Sequence, residues 1–517
     1  MGGYRGPTGD HHGKMSLSMR PPDPQQSPYL AGHRPFPTRN ASGLRRLPAF
    51  YLPLLSLATL TSVAAALQGS FDALVLATVL SVAVGVLLVL NDAVIMWRRG
   101  SSIVGRLVVN LGVFYWFWVG ALPLALADPP FPWLDSIYPG FPFGVPESIV
   151  GPTLIGVNPV GSVLFLGWRY LPQPRRLIAL LADRVDPQPA HWFDWVALGL
   201  VLLAWVPLVI AYQGDLSSAL YDLMRIRAGG KIGASQDPGL AHHLVLLGSF
   251  GATLSLARIA LRSSGLFWPR YLAVALMVPI LFFGQGSRFS FGYLLIPAGV
   301  ILLAPSRHRL SWINRRTTVI IIVAIGALLL LYQGAIRNTG YGGGAEAPSH
   351  SFGSTLEKGF YGHDHFSAML VAVNLVDTGG RFYMEPMAPF FFTHFIPRII
   401  WPNKPYPVSW ADYNFAWTQG HQFNVTPSIT GQYYLNWGYV GVIYIGFFIG
   451  WLARLCETWL IRLDIRHQIM SAAVAGLLMG FMFLSFRFFH PLYFSYPLFG
   501  FIAYRLLTRR LRRPMSE

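Results

Sequence analysis

The sequence predicts an all-helical protein that crosses a membrane many times. Long apolar segments recur along its 517 residues, only 12% of the residues are charged, and the mean hydropathy is +0.45. Soluble domains carry about 25% charged residues, so much of this chain's surface is expected to face lipid. Because a hydrocarbon core about 30 Å thick needs roughly 20 helical residues, the apolar segments predict about twelve spanning helices.

The predicted spans follow an N-terminal tail that is rich in proline, glycine, histidine and arginine and has no apolar periodicity. We expect this tail to be disordered. The spans are 49–67, 72–96, 103–127, 149–170, 193–212, 241–261, 268–284, 289–305, 317–335, 436–458, 468–486 and 491–507. Pro152, Asn158 and Pro159 interrupt the fourth of these, but omitting it would reverse the sidedness of half the loops.

These spans divide the chain into successive regions. They are the tail 1–48, the first group of spans 49–335, one large loop 336–435, the last spans 436–507 and a basic tail 508–517. Within the large loop, Phe366–Leu375 and Pro389–Ile400 are predicted to form amphipathic helices that lie along the membrane interface.

Arginines predict the orientation, because they recur in every second connection between spans and in the basic C-terminal tail. Examples are Arg98, Arg99, Arg106, Arg169, Arg258, Arg270, Arg307, Arg454 and Arg509. Cytoplasmic loops carry an excess of Lys and Arg, so both termini are predicted to be cytoplasmic and the loop 336–435 external. The net charge of +17 is spread over these short loops, which favours membrane orientation over nucleic-acid binding.

A second group of basic residues lies on the predicted outer side, where the same rule expects few. They are Arg225, Arg227, Lys231, Arg288, Arg337, Arg381, Arg398, Lys404 and Arg487. A charge near the bilayer centre costs roughly 2.5–3.5 kcal/mol, and such residues usually mark function. Their grouping suggests an anionic, lipid-borne substrate, and two or three arginines would match a diphosphate. The alternative is contact with anionic lipid headgroups.

The strongest local motif is FIPRIIWPNKP, residues 395–405, in the large loop. Its prolines stiffen the backbone, so Arg398 and Lys404 are held on a rigid segment beside Trp401. A guanidinium grips phosphate oxygens at two points, and an ammonium acts as a point charge. Snorkelling of both side chains to headgroups, with Trp401 in an aromatic belt, is the competing interpretation.

Three further arginines are predicted at the same outer level. Arg288 ends the motif GQGSR, whose glycines permit a tight turn and an anion-binding nest of backbone N–H groups. Arg337 follows the ninth span and Arg487 follows the eleventh. The competing interpretation is a simple turn with headgroup-bound arginines.

Candidate bases lie in the segment GHDHF, where His363 and Asp364 are the leading choices. A sugar hydroxyl that acts as a nucleophile needs a proton acceptor nearby. Further candidates in the loop are Glu385, His394, Asp412 and His421. No third ligand at recognisable spacing accompanies the histidines, so we predict neither a metal nor a cofactor.

Two other features are predicted to serve packing. Gly446 and Gly450 have the small-xxx-small spacing that lets helices approach closely. Cys456, the single cysteine, lies in an apolar segment and excludes an intrachain disulfide. The chain contains no GxxxxGK[ST] motif and no HExxH motif, so ATP-driven and zinc-protease functions lack support.

The motif FIPRIIWPNKP, together with TPSITGQYYLNWGYVG at residues 426–441 and GSR at 286–288, resembles the Wzy-type O-antigen and oligosaccharide repeat-unit polymerases. The resemblance implies a GT-C-like glycosyltransferase of the bacterial plasma membrane. It implies donor and acceptor oligosaccharides on undecaprenyl diphosphate, no nucleotide sugar, and a flippase and a chain-length regulator as partners. Many relatives have Glu where this chain has Gln432, and an amide cannot act as a general base.

We therefore expect polymerisation of lipid-linked repeat units into O-antigen, capsule or exopolysaccharide. The diphosphate-binding cations implied are Arg288, Arg337, Arg398, Lys404 and Arg487, and the candidate bases are Asp364 and His363. Two alternatives stay open: an O-antigen-ligase-like transferase, which differs in its acceptor, and a polysaccharide or anion transporter, which forms no glycosidic bond.

Overall fold

The computed structural model describes residues 48–99, 104–126, 147–174, 176, 178, 192–218, 238–260, 268–283, 288–303, 364–385, 393, 396, 400–403, 408–409, 427–463, 469–486 and 501–502. It divides the chain into two units, Met1–Tyr51 and Leu52–Glu517, and describes only residues 48–51 of the first. Every regular element among these residues is helical, and they contain no strand. The prediction of an all-helical fold is confirmed for this part of the chain.

The α-helices are numbered in chain order. They are α1 (Pro48–Gln68), α2 (Phe71–Arg99), α3 (Val104–Val113), α4 (Pro123–Leu126), α5 (Glu147–Val157), α6 (Val160–Tyr170), α7 (Trp192–Ala211), α8 (Pro238–Ala260), α9 (Trp268–Phe283), α10 (Arg288–Leu303), α11 (Asp364–Gly379), α12 (Ile429–Arg462) and α13 (Ile469–Ser485). A π-helical segment at Phe114–Trp118 and a 3₁₀ turn at Val119–Ala121 join α3 to α4.

Within the described residues, six helical segments are long and apolar enough to cross a membrane. They are Tyr51–Gln68, Phe71–Ile95, Val104–Leu126, Ser148–Tyr170, Phe193–Ile210 and Ile429–Arg462. The interrupted fourth span is among them. Helices α8, α9, α10 and α13 coincide with four more predicted spans, and the spans predicted at 317–335 and 491–507 lie outside the described residues except for 501–502. These long apolar helices are typical of an integral membrane protein.

The break in the fourth span serves helix packing. Helix α5 ends before Asn158, and Pro159 cannot donate the backbone hydrogen bond that would continue it. The buried Asn158 side chain donates to Ser62 Oγ at 2.7 Å and to Ser81 Oγ at 2.9 Å. One amide therefore ties the α5–α6 junction to both α1 and α2, as polar groups do between helices in lipid.

Helices α6 and α12 cross at glycines, as the small-xxx-small spacing predicts. A Cβ atom added to Gly450 would overlap the carbonyl group of Leu164, and one added to Gly167 would overlap the backbone of Phe447. A Cβ on Gly446 would lie 2.9 Å from Val163 Cγ1. Both backbones approach so closely that neither helix has room for a side chain here.

Leucine at Gly450 is expected to lower the melting temperature of the detergent-solubilised protein strongly. Overpacking usually costs about 1–3 kcal/mol, and here the added atoms meet a backbone carbonyl that cannot rotate away. The matched control is Gly199→Leu in α7, where no atom lies within 4 Å of the added Cβ. Equal melting temperatures for the two variants would contradict the close crossing.

Two buried ion clusters join helix ends that the predicted topology places on the cytoplasmic side. In the first, Arg106 Nε and Nη2 lie 3.0 and 2.5 Å from Asp92 Oδ1, and Asn110 Nδ2 donates to Asp92 Oδ2 at 2.7 Å. In the second, Arg258 Nε and Arg270 Nε lie 2.6 and 3.0 Å from Asp194 Oδ1. These arginines, predicted as loop charges, instead connect helices inside the bundle.

An indole extends the first cluster to α12. Trp168 Nε1 donates to Glu457 Oε2 at 3.0 Å, and the guanidinium carbons of Arg106 and Arg454 lie 5.4 and 5.8 Å from the Trp168 ring centroid. Arg454 also donates to the backbone carbonyl of Trp168 at 3.0 Å. Cation–π contacts and charged hydrogen bonds thus hold α3, α6 and α12 together at one end.

Candidate functional site

Helix α12 reverses direction at Gly438, which has φ 58° and ψ −146°. The rings of Tyr433 and Tyr444 lie 6.4 Å apart, whereas the eleven residue steps from one to the other would rise about 16 Å in a continuous helix. A Cβ on Gly441 would overlap the carbonyl oxygen of Tyr433. Residues 429–437, called the inserted helix below, therefore fold back against the rest of α12.

The inserted helix enters the bundle interior. Residues 427–436 are all buried. Ser428 Oγ caps its first turn by accepting from Gly431 N at 3.1 Å, and Ile429 N donates to Phe486 O at 3.4 Å. The Phe486 ring packs on Phe117, with 5.9 Å between centroids, and closes over Gly112 near the middle of the span Val104–Leu126. The inserted helix thus begins at mid-depth of that span.

Helix α11 runs beside the inserted helix. A Cβ on Gly431 of the inserted helix would lie 3.3 Å from the Cβ of Ala372 in α11. Helix α11 also contacts α5, because a Cβ on Gly156 would overlap the methyl group of Met369. Side chains 366–374 are all buried. The helix predicted at Phe366–Leu375 is therefore present, but its burial differs from the half-exposed surface expected of a helix lying along the interface. The helix predicted at Pro389–Ile400 lies outside the described residues, except for 393, 396 and 400.

Helices α10 and α13 are antiparallel neighbours whose register is set at two glycines. A Cβ on Gly480 would lie 2.8 Å from Pro297 Cγ, and one on Gly476 would lie 3.0 Å from Ile301 Cγ1. Continuing this register places the start of α10, at Arg288, beside the end of α13.

The structure describes the predicted site residues only in part. The backbone of Arg288 begins α10 and that of Asp364 begins α11. The side chains of both, and all of His363, Arg337, Arg398, Lys404 and Arg487, lie outside the described residues. Their roles in binding and proton transfer stay predictions.

A polar cluster that the sequence did not predict lies where the inserted helix ends. Asn436, which is fully buried, accepts from Glu385 N through Oδ1 at 3.0 Å and donates through Nδ2 to Gln432 O at 3.0 Å and to Ser409 Oγ at 3.4 Å. The Glu385 carboxylate accepts from Ser409 N at 3.1 Å. We call Glu385, Ser409 and Asn436 the loop hub. The only sequence signal for Asn436 is an amide in an apolar segment just before Gly438.

The reversal also frees backbone acceptors that the loop uses. The carbonyls of Leu435 and Asn436 have no following helical turn, and they accept from Tyr383 N at 3.0 Å and from Met384 N at 3.1 Å. Buried carbonyls need such partners. The chain leaving α11 is therefore bonded residue by residue to the end of the inserted helix.

Alanine at Gly438 is expected to destabilise this reversal. Residues with side chains rarely adopt its backbone conformation, which costs about 1–3 kcal/mol, and the new Cβ would lie 3.0 Å from the Phe382 ring. The control is Gly69→Ala, also at positive φ but with no atom within 4 Å. We expect a lower melting temperature for Gly438→Ala than for Gly69→Ala; the reverse order would contradict the tight turn.

A scan against protein-family models, a search of curated proteins and a search of solved structures each gave no match.

Proposed function

We propose that the chain is a membrane glycosyltransferase that polymerises oligosaccharide repeat units carried on undecaprenyl diphosphate. Its proposed architecture is GT-C-like, with about twelve spans, both termini in the cytoplasm and the loop 336–435 outside a bacterial plasma membrane. The growing chain on its lipid is the donor. The acceptor is the non-reducing end of a new lipid-linked repeat unit.

The observation that carries the proposal is the convergence of three sequence-distant elements. The inserted helix belongs to the motif at 426–441, α10 begins at Arg288, and α13 ends directly before Phe486 and Arg487. Ile429 contacts Phe486, and the register of α10 on α13 brings the start of α10 to the same end. Arg288 and Arg487, at the ends of two of these elements, would share one site rather than scatter around the rim, which favours one anionic ligand over many headgroups.

The proposed reaction needs positive charge at the leaving group. The acceptor hydroxyl oxygen bonds to the anomeric carbon of the donor, the bond from that carbon to the diphosphate oxygen breaks, and the lipid diphosphate leaves with both electrons. Arg288, Arg337, Arg398, Lys404 and Arg487 are the proposed cations that neutralise it. A discontinuous helix that begins inside a bundle adds the positive end of its dipole to such a site.

The acceptor hydroxyl proton must be taken up as the new bond forms. We propose Asp364 or His363 as the base, and the burial of residues 366–374 supports this choice because it brings the start of α11 into the interior. Gln432, fully buried in the inserted helix, carries no charge and cannot take this role. A diphosphate is a good leaving group, so the proposal includes no metal.

The test is incubation of the purified, reconstituted protein with one defined lipid-linked repeat unit, followed by measurement of saccharide length. We expect a ladder of lipid-linked products. Transfer to a different lipid acceptor without a ladder would indicate a ligase-like enzyme, and movement across the vesicle membrane without new glycosidic bonds would indicate a transporter. Either result would overturn the polymerase proposal.

A further inference from the structure

The carboxylate of Glu385 joins two points of the chain that are far apart in sequence. Its Oε1 accepts from Val408 N, and its Oε2 accepts from both the backbone N–H and the hydroxyl of Ser409. The first two donors are backbone amides in the helical residues 408–409. Hydrogen bonds to an ionised acceptor are about twice as strong as neutral ones. One side chain therefore holds the two ends of the segment 386–407 together.

The same point is tied to the inserted helix. Three successive backbone amides, those of Tyr383, Met384 and Glu385, donate to Leu435 O, Asn436 O and Asn436 Oδ1. Met384 has φ 53°, a left-handed conformation that costs a residue with a side chain about 1–2 kcal/mol. Such a conformation persists where the surrounding bonds determine it.

We propose that Glu385 is a positioning residue that fixes both ends of the segment 386–407 to Asn436 on the inserted helix. The inference rests on the proposed function, because this segment contains Arg398 and Lys404 of the predicted donor site. Closing a chain of this length at a fixed point removes conformational entropy before the ligand arrives. With both ends of the segment fixed, we expect the donor diphosphate to bind with a smaller loss of conformational entropy.

This role differs from that of a general base, for which Glu385 is a candidate by sequence. A carboxylate offers about four acceptor positions. Three of them are occupied by donors from Val408 and Ser409. A base would lose kcat on replacement and change its pH profile. A positioning residue acts through Arg398 and Lys404, so its replacement would lower kcat/KM for the donor and leave the pH profile of the reaction unchanged.

The first measurement is independent of catalysis: amide hydrogen exchange of residues 408–409 in the full-length protein in nanodiscs. We expect exchange at least about tenfold faster in Glu385→Ala than in the wild type, because both amides lose their acceptor. Glu385→Gln retains one acceptor oxygen and should fall between them. The control is Asp377→Ala, an exposed acid on α11. Unchanged exchange in Glu385→Ala would overturn the proposal.

The second measurement is the kinetics of chain extension with a lipid-linked donor. For Glu385→Ala we expect kcat/KM for the donor to fall about tenfold or more with an unchanged pH profile, and a partial return in Glu385→Gln. A changed pH profile in Glu385→Ala would overturn the positioning role in favour of a base. Faster amide exchange in Glu385→Ala together with an inactive wild type would contradict the proposed function while leaving the attachment of the segment intact.

Discussion

Alanine at Arg398 or at Arg288 is expected to reduce chain extension by about a hundredfold or more, while expression and membrane insertion stay unchanged. The departing diphosphate gains negative charge in the transition state, and a preorganised guanidinium stabilises that charge without reorganisation. Product length and initial rate, measured on purified protein with a defined lipid-linked donor, check this prediction.

The matched control for both variants is Arg462→Ala. Arg462 is exposed and ends α12, whereas the inserted helix forms the beginning of α12. It removes the same charge on the predicted cytoplasmic side and should leave the rate unchanged. Arg398→Lys should retain part of the activity, since an ammonium supplies charge but no two-point grip. Full activity in Arg398→Ala and Arg288→Ala would remove both residues from the donor site.

Methionine at Arg106 is expected to cause the largest loss of stability. The change removes the guanidinium that neutralises the fully buried Asp92, and breaking a buried ion pair from one side costs about 3–5 kcal/mol. A thermal melt of the detergent-solubilised protein measures it. Because the apolar double variant Asp92→Leu/Arg106→Met leaves no buried charge from this pair, it should melt above the single variant.

The exposed Arg462 again supplies the control, and Arg462→Met should melt like the wild type. A double variant that melts no higher than Arg106→Met would show that the pair does more than neutralise charge. A wild-type melting temperature for Arg106→Met would contradict the burial of the pair.

Hydropathy predicted the six long apolar helical segments found among the described residues, because hydropathy is a local property. The segment Ser148–Tyr170 is an example, since its apolar content outweighs a break at Asn158. The close packing of Gly446 and Gly450 against α6 was also predictable, because small residues at this spacing typically lie where two helices approach closely.

Tertiary contacts were less predictable. The tenth span was expected to begin at residue 436, but α12 begins at Ile429 and reverses at Gly438. A single glycine gives no sequence signal that distinguishes a reversal from helix packing. Arg106 likewise counts as a loop charge by sequence, and only the position of Asp92 one helix earlier shows that the two are paired.

Residue type alone indicates the candidate site residues, and their roles stay predictions, whereas the contacts around Glu385 were not predicted. Glu385 stood among the possible bases, yet nothing in the sequence indicates its pairing with Ser409 and Asn436, because hydrogen bonds between distant segments depend on the fold. The roles of Arg398 and Asp364 stay predictions.

The most direct measurement of the central claim is the ratio of free undecaprenyl diphosphate released to glycosidic bonds formed by the purified protein. Transfer from a lipid diphosphate donor predicts one released lipid for each new bond. Bonds without released lipid, or released lipid without bonds, would contradict a donor whose leaving group is the diphosphate.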